Sequence, residues 1–349
     1  GVGNVGGYLM EQINVQKKFI AQNLKLNLKV LGISNSKRMV ISDSEIDLNN
    51  WVKLLDESNL KADFNVFQDK ILELNLRNSL FVDNTASEVI PSTYSKYLKN
   101  GVGIITCNKI ANSVEYSNYE LLKSLSRNNN SPFFYETNVG AALPVISTLN
   151  NLINSGDKVI KIEAVLSGTL NYIFNSFIEP DTFHDIVSKA VDLGFTEPDP
   201  KIDLCGIDVA RKILILARES GLNIEFDEVK KNHFLPVSSI NTKTKDDFLL
   251  SLKQNSDHFN KLLNEAKKKN CRLKFVAKLN KGKASVGLES VPPDHPFYNL
   301  VGSDNITVFY TDRYSESPLV VKGAGAGGEF TASGVFADII KASQENGKH

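Results

Sequence analysis

Two stretches of this 349-residue chain have residue types and spacings suited to chemistry. The denser is Ala190-Val191-Asp192-Leu193-Gly194-Phe195-Thr196-Glu197-Pro198-Asp199-Pro200-Lys201-Ile202-Asp203-Leu204-Cys205-Gly206-Ile207-Asp208-Val209-Ala210-Arg211-Lys212. Its acids Glu197, Asp199, Asp203 and Asp208 could hold a cation or a substrate ammonium group, although their spacing is not that of a calcium loop. Asp208 and Lys212 stand four residues apart, hence on one helix face. An arbitrary pair of this kind is a surface ion pair worth a few tenths of a kcal/mol. The second stretch is Gly1-Val2-Gly3-Asn4-Val5-Gly6, a turn that lets backbone approach a pyrophosphate lying on a helix N-terminus. Such a turn normally follows a strand, and none precedes it here, so it reads as an accident or as the start of a fragment. Cys107 and Cys205 invite a thiol mechanism, but a cysteine nucleophile needs a base and no histidine lies near either in sequence. His184, His233, His258, His295 and His349 form no metal-spaced cluster, and His349 reads as a tag remnant or surface.

These groups need elements to position them. After the glycine turn, Tyr8, Leu9, Met10, Ile13 and Phe19 carry a helical rhythm, and Leu26, Leu28, Val30 and Ile33 alternate like a strand. Helices are expected around Trp51 to Leu55 and Val66 to Leu74. Short apolar runs at Leu80 to Val82, Gly103 to Ile105 and Phe133 to Tyr135, separated by helix-length stretches, predict a doubly wound parallel sheet. From Pro144 the texture changes. A helix to about Ile153 and a strand over Val159 to Leu166 precede helices near Thr182 to Leu193, Asp208 to Ser220 and Asp246 to Lys269. Leu273 to Leu279 and Ala284 to Val291 flank Asn280-Lys281-Gly282-Lys283 as a hairpin. Strands over Ile306 to Tyr310 and Leu319 to Val321 lead to a glycine-rich turn and a last helix. An α/β nucleotide fold followed by an α+β unit is the expected architecture.

Composition narrows the partners. Forty basic against forty acidic side chains leave no net charge, which disfavours nucleic acid or an anionic membrane as the main partner. Three cysteines cannot form a disulfide framework and suit a reduced, cytoplasmic chain. No apolar run approaches the roughly 18 residues of a membrane span, and no basic-then-apolar secretory leader is expected. A nucleotide site for NAD usually ends its second strand on an acid. Here Gly32-Ile33-Ser34-Asn35-Ser36-Lys37-Arg38 has none before Asp43, so Ser36 and the cationic residues predict a preference for NADP over NAD.

Segment 190 to 212 resembles the signature of the homoserine dehydrogenase family: A-x-x-x-G, an acid-proline loop, D-L-x-G-x-D and a lysine four residues on. Asp83-Asn84-Thr85-Ala86-Ser87, Thr106-Cys107-Asn108-Lys109, Tyr135-Glu136-Thr137-Asn138-Val139-Gly140-Ala141-Ala142-Leu143-Pro144, Ser167-Gly168-Thr169-Leu170-Asn171-Tyr172 and Gly323-Ala324-Gly325-Ala326-Gly327 agree in the family's order. The resemblance is strongest to the dehydrogenase part of bifunctional aspartokinase–homoserine dehydrogenases. Ala142, where glycine is expected, is a small departure.

The resemblance implies reversible, nicotinamide-dependent reduction of L-aspartate 4-semialdehyde to L-homoserine. It assigns Lys212 as proton donor, Lys109 as a second cation beside substrate and cofactor, and Glu197, Asp203 and Asp208 as substrate ligands. The cofactor is expected at Gly1, Gly3, Asn4, Val5, Gly6, Ser36, Lys37, Thr85, Ser87, Lys109, Gly194, Glu197, Gly325 and Gly327. A monovalent cation such as sodium is expected at Glu136 and the carbonyls of Val139, Ala141 and Leu143. Residues 1–143 are then the nucleotide domain, 144–318 a substrate and dimerisation domain, and 319–349 a segment returning to the nucleotide domain. A homodimer or larger homo-oligomer, an aspartokinase fused upstream, and weakened cofactor binding through a missing first strand are further expectations. Two readings compete: a related oxidoreductase on another small amino-acid aldehyde or oxo acid, and a non-catalytic NADP-binding module. A phosphorylating aspartate-semialdehyde dehydrogenase is disfavoured for lack of a partnered thiol.

Overall fold

A computed structural model describes residues 1–346, so His349 lies outside the described residues. The chain divides into two compact units, Gly1–Ala142 with the segment from Gly327 onward, and Leu143–Ala326.

The first unit holds a three-stranded parallel sheet of β3 (Leu80–Asp83), β4 (Gly103–Thr106) and β5 (Phe133–Phe134), paired in that order, and a separate antiparallel ribbon of β1 (Gly32–Ser34) and β2 (Met39–Ile41). Alternation sends the two faces of the parallel sheet to different helices. Leu80, Val82, Ile105 and Phe134 pack with the helices Asn4–Phe19 and Gly328–Asn346. On the opposite face Phe81 stacks on Tyr97 at 4.4 Å between ring centroids and meets Tyr94 edge-on, both from the helix Tyr94–Lys99. Helices therefore cover both faces, as in a doubly wound sheet.

Two expectations are corrected in this unit. Only Gly32–Ser34 of the run from Leu26 forms a strand, because the carbonyls of Val30 and Leu31 accept from loop amides of Ile46 and Ser42 rather than from a neighbouring strand. The side chains of Leu26, Leu28 and Val30 still pack on the core, which is what the alternation registered. The returning segment, expected from residue 319, starts at Gly327, because Leu319–Ala324 completes the sheet of the second unit.

That second sheet runs β11 (Leu319–Ala324), β10 (Asp304–Thr311), β6 (Val159–Val165), β8 (Arg272–Asn280), β9 (Lys283–Val291) and β7 (Lys230–Asn232), antiparallel except for β7 beside β9. Lys281 and Gly282, with φ of +49° and +76°, turn the β8–β9 hairpin. One face carries an aromatic cluster in which Phe183 stacks on Phe259 at 4.2 Å and Phe234 meets Phe174, Phe183 and Phe275. On the other, Phe297 and Leu300 pack with Val165, Val276, Ile306 and Val308. The helix expected over Asp246 to Lys269 is two, Lys245–Gln254 and Ser256–Lys268, since Asn255 leaves helical geometry at φ −100°, ψ 24°.

Candidate functional site

In the second unit, the helix Ile207–Glu219 presents Asp208 and Lys212 one turn apart. Its entry requires Gly206: φ is +68°, and a Cβ there would lie 2.4 Å from the Phe275 ring. Lys212 Nζ reaches Asp208 Oδ2 and the Leu166 carbonyl, each at 2.7 Å. The two side chains differ in environment, 11% exposed for Lys212 against 51% for Asp208. The cation is thus held from within by a backbone carbonyl while its carboxylate partner faces outward.

Leu166 leads directly into Ser167, whose hydroxyl caps the helix Gly168–Ser176 by accepting from the Leu170 amide at 3.2 Å. Thr169 on that helix donates to the Phe195 carbonyl, tying it to the acidic loop. Within the loop, Asp203 Oδ2 accepts from the Glu197 amide at 2.8 Å. Burial pushes the Asp203 carboxyl above its usual range, the Glu197 amide draws it back, and the charges of Glu197 and Asp208 raise it further. The expected rigid loop contains a helical turn, Pro200–Leu204, capped by Asp199, which accepts from the Lys201 amide at 3.0 Å. Asp199 is thereby a cap, and Lys201 bonds to the Thr242 carbonyl. Asn171, of the same motif as Thr169, accepts from the buried Lys274 ammonium at 3.0 Å, with Asn175 and the Leu300 carbonyl as further acceptors. Burial lowers Lys274 to about 8.

In the first unit the glycine turn sits against the C-terminal end of β3. A Cβ on Gly6 would lie 2.0 Å from the Gly1 carbonyl oxygen, so only glycine closes this turn. Gly3 ends the turn and Asn4 begins the helix. The Gly7 amide makes the first helical bond, to Gly3, and the amides of Asn4, Val5 and Gly6 make none among the described residues. Asn84 Nδ2 approaches the Gly1 carbonyl at 3.5 Å, and its Oδ1 is buried with no partner among the described residues. Asn84 was not singled out from sequence, although it stands inside the matched Asp83 to Ser87 motif.

Thr85 and Ser87 follow in a turn in which each hydroxyl accepts a local amide, Ser87 N to Thr85 Oγ1 at 3.1 Å and Val89 N to Ser87 Oγ at 3.2 Å. Half-buried Lys109 stands just before the helix Ile110–Ser113, its carbonyl accepting from Ser113 Oγ at 2.8 Å. Exposed Ser36 and Lys37 lie in the β1–β2 turn, which Asn35 Oδ1 shapes by accepting from the Lys37 and Arg38 amides at 2.8 and 2.7 Å. Neither Lys37 nor Arg38 forms an ion pair among the described residues.

Glu136 begins a 3₁₀ turn, and its amide donates to Asp338 Oδ2 at 3.0 Å. Burial, then the Glu136 charge, push Asp338 up to about 7 against that hydrogen bond. Val139 and Ala141 belong to the same unit as Glu136, whereas Leu143 belongs to the second. Gly194, Glu197 and Gly325 fall in the second unit and Gly327 in the first. Burial pushes the Cys107 thiol up to about 11 and that of Cys205 above its usual value, so both are protonated near neutral pH. His184, His258 and His295 have separate partners in Asp185, the Phe234 carbonyl and Glu163.

Two family models match the chain: the homoserine dehydrogenase NAD-binding domain over residues 1–136 and homoserine dehydrogenase over 144–340. The chain is 40% identical over 344 residues to bifunctional aspartokinase/homoserine dehydrogenase 1, chloroplastic, of Arabidopsis thaliana, covering 98% of this chain but 38% of that protein. It thus spans 37–42% of the length of such bifunctional relatives. It is 37% identical to the homoserine dehydrogenase of Schizosaccharomyces pombe, covering 98% of this chain and 93% of that one. A hyperthermophilic archaeal homoserine dehydrogenase mutant, solved in complex with NADPH, superposes with a TM-score of 0.76 at 25% identity over 98% of this chain and 95% of its own.

Proposed function

This chain belongs to the homoserine dehydrogenase family, and from that premise we propose that it interconverts L-aspartate 4-semialdehyde and L-homoserine with a nicotinamide cofactor. The observation that carries the proposal is Lys212, an ammonium buried against the Leu166 carbonyl and aligned by Asp208. Reduction of an aldehyde builds negative charge on its oxygen, and a fixed cationic donor stabilises that charge and supplies the proton. In this reading Lys109 is a second cation near the reacting oxygen. Glu197, Asp203 and Asp208 hold the ammonium and hydroxyl of the substrate. The raised Asp203 carboxyl, crowded by Glu197 and Asp208, is the electrostatic counterpart: a bound ammonium relieves repulsion that the protein alone sustains.

The cofactor supplies and accepts the hydride. Its fit rests on the Gly1–Gly6 turn, which a Cβ on Gly6 would fill, and on the buried, unpartnered Asn84 Oδ1 beside it. The open amides of Asn4, Val5 and Gly6 suit a pyrophosphate. Thr85, Ser87 and Lys109 line the strand ends in the same unit, and Gly194, Glu197, Gly325 and Gly327 complete the proposed contacts. Ser36 and Lys37, in a turn without acids, favour NADP over NAD. A sodium ion is proposed on Glu136 and the carbonyls of Val139, Ala141 and Leu143. The positive φ of Gly140 and Ala141, +85° and +52°, supports this reading by turning successive peptides.

The unit Gly1–Ala142 with the segment from Gly327 onward is read as the nucleotide domain and Leu143–Ala326 as the substrate domain. That domain is also read as the dimer contact, since the edge strand β11 exposes Val320. No helix among the described residues is long and apolar enough to cross a membrane. A cytoplasmic enzyme, joined to an aspartokinase in the full polypeptide, is the proposed setting. Absorbance of NADPH formed from L-homoserine and NADP tests the activity. No turnover by the folded protein rejects it.

A further inference from the structure

We propose that Asp83 is a positioning residue for the reaction, one buried carboxylate that sets both the Thr85–Ser87 turn and the Asn108–Lys109 turn. The inference rests on the reading above that these two turns meet the cofactor. Asp83 closes β3 and is 1% exposed. Its Oδ1 accepts from the Thr85 amide at 2.8 Å. Its Oδ2 accepts from Tyr94 Oη at 2.6 Å and from Asn108 Nδ2 at 3.2 Å. The same Asn108 amide group donates to the Ser87 carbonyl at 2.8 Å, and Asn108 Oδ1 accepts from the Ile110 amide at 3.0 Å, bracketing Lys109. Two segments far apart in sequence are thus gauged from one side chain.

The strands do not need this carboxylate. β3 and β4 are already joined in register through Asp83 and Thr106, and the Cys107 amide donates to the Asp83 carbonyl at 3.1 Å. The side-chain bonds reach instead to residues beyond the strand ends, where the Thr85, Ser87 and Lys109 side chains are displayed. A buried carboxylate is costly unless donors surround it. Asp83 forms no ion pair among the described residues, so its charge is met by three N–H and O–H donors. The arrangement requires an acceptor at both oxygens. In Asp83→Asn the new NH₂ group faces either the Thr85 N–H or the Asn108 N–H, and one of the two turns loses its bond to residue 83.

The test is steady-state kinetics on Asp83→Asn, Tyr94→Phe and Asn108→Ala with melting temperatures for each, in the same chain. Tyr94→Phe removes one of the donors to Asp83 and the bond to Thr106 Oγ1 while leaving the Asp83 bonds to Thr85 and Asn108 in place, and so measures the structural loss of a donor to this carboxylate. Asp83→Asn is expected to raise the KM for NADPH about tenfold and lower kcat about tenfold, leaving the KM for the semialdehyde within twofold. Tyr94→Phe is expected to lower the melting temperature comparably with both kinetic constants within twofold of wild type. Asp83→Asn with wild-type constants, or constants in the two variants that follow melting temperature alike, overturns the proposal. If Asp83→Asn does not fold, Asn108→Ala decides: an unchanged kcat and NADPH affinity overturns it, and a fall of about tenfold in either supports it. A wild-type chain with no semialdehyde-dependent NADPH oxidation sinks the functional reading itself, and this inference with it.

Discussion

Glu163 and Asp203 are half-buried or buried carboxylates of the same unit, and their surroundings push them opposite ways. Glu163 lies on β6 with Lys161 at 2.9 Å, Lys278 at 3.5 Å and His295 at 3.3 Å. Burial pushes it upward, but hydrogen bonds from His295 and Lys161 and the charges of Lys161 and Lys278 outweigh that and hold it at about 2. Asp203 forms no ion pair among the described residues: burial raises it, hydrogen bonds from the Glu197 amide and Thr169 draw it back in part, and Glu197 and Asp208 add like charge. A carboxylate surrounded by cations stabilises the fold. One surrounded by acids strains it, and that strain is relieved when a cationic group arrives.

Lys212 is the cation on the acidic side, paired with Asp208 at 2.7 Å. Lys212→Ala is expected to lower kcat by about 10³-fold, within the range for loss of a positioned proton donor, with little change in melting temperature because Asp208 faces outward. Retention of more than a tenth of wild-type turnover rejects the role. On the Glu163 side the effect belongs to stability. With its folded value near 2 against an ordinary 4.5, the ionised Glu163 contributes about 3 kcal/mol. That contribution is present above about pH 4.5 and is lost as pH falls toward 2, because protonation then favours the unfolded chain. Glu163→Gln should lower denaturant stability at pH 7 by a similar amount, flatten that acid-side slope and leave kcat unchanged. A wild-type slope in the variant contradicts it.

Lys37→Ala should lower kcat/KM for NADPH about tenfold, as for one lost charge-assisted phosphate contact, with NADH unaffected. Equal losses with both cofactors remove Lys37 from the cofactor site. Asp203→Asn should raise the KM for the semialdehyde and raise stability at pH 7, because an acid held above its ordinary value costs stability wherever it is ionised. Thermal unfolding reads this as an upward shift in melting temperature, and a downward shift shows that the Glu197 amide bond outweighs the repulsion.

Much of this could be anticipated from residues adjacent in sequence. The helix carrying Asp208 and Lys212, the hairpin at Lys281-Gly282 and the parallel strands ending at Asp83 and Thr106 all rest on local periodicity or turn chemistry. What escaped was set by distant partners. The break at Asn255 interrupts an otherwise continuous apolar rhythm, and the run from Leu26 alternates like a strand though only its end is paired. Asn84 and Asp83 stood inside a matched motif, but nothing local distinguishes an unpartnered buried oxygen from one saturated by three donors. Glu163 and its cations come from two strands and a loop.

Residue order alone was sufficient for the family, the two-part α/β and α+β architecture and the identity of the charged groups, because dense motifs and short-range periodicity are written in neighbouring residues. Tertiary structure alone decided which carboxylates are neutralised and which are crowded. It also decided where the chain leaves the second unit, at Gly327 rather than at residue 319. A side chain's charge is a property of its type, but its field and solvation come from whatever the fold packs around it, and those neighbours lie tens to hundreds of residues away.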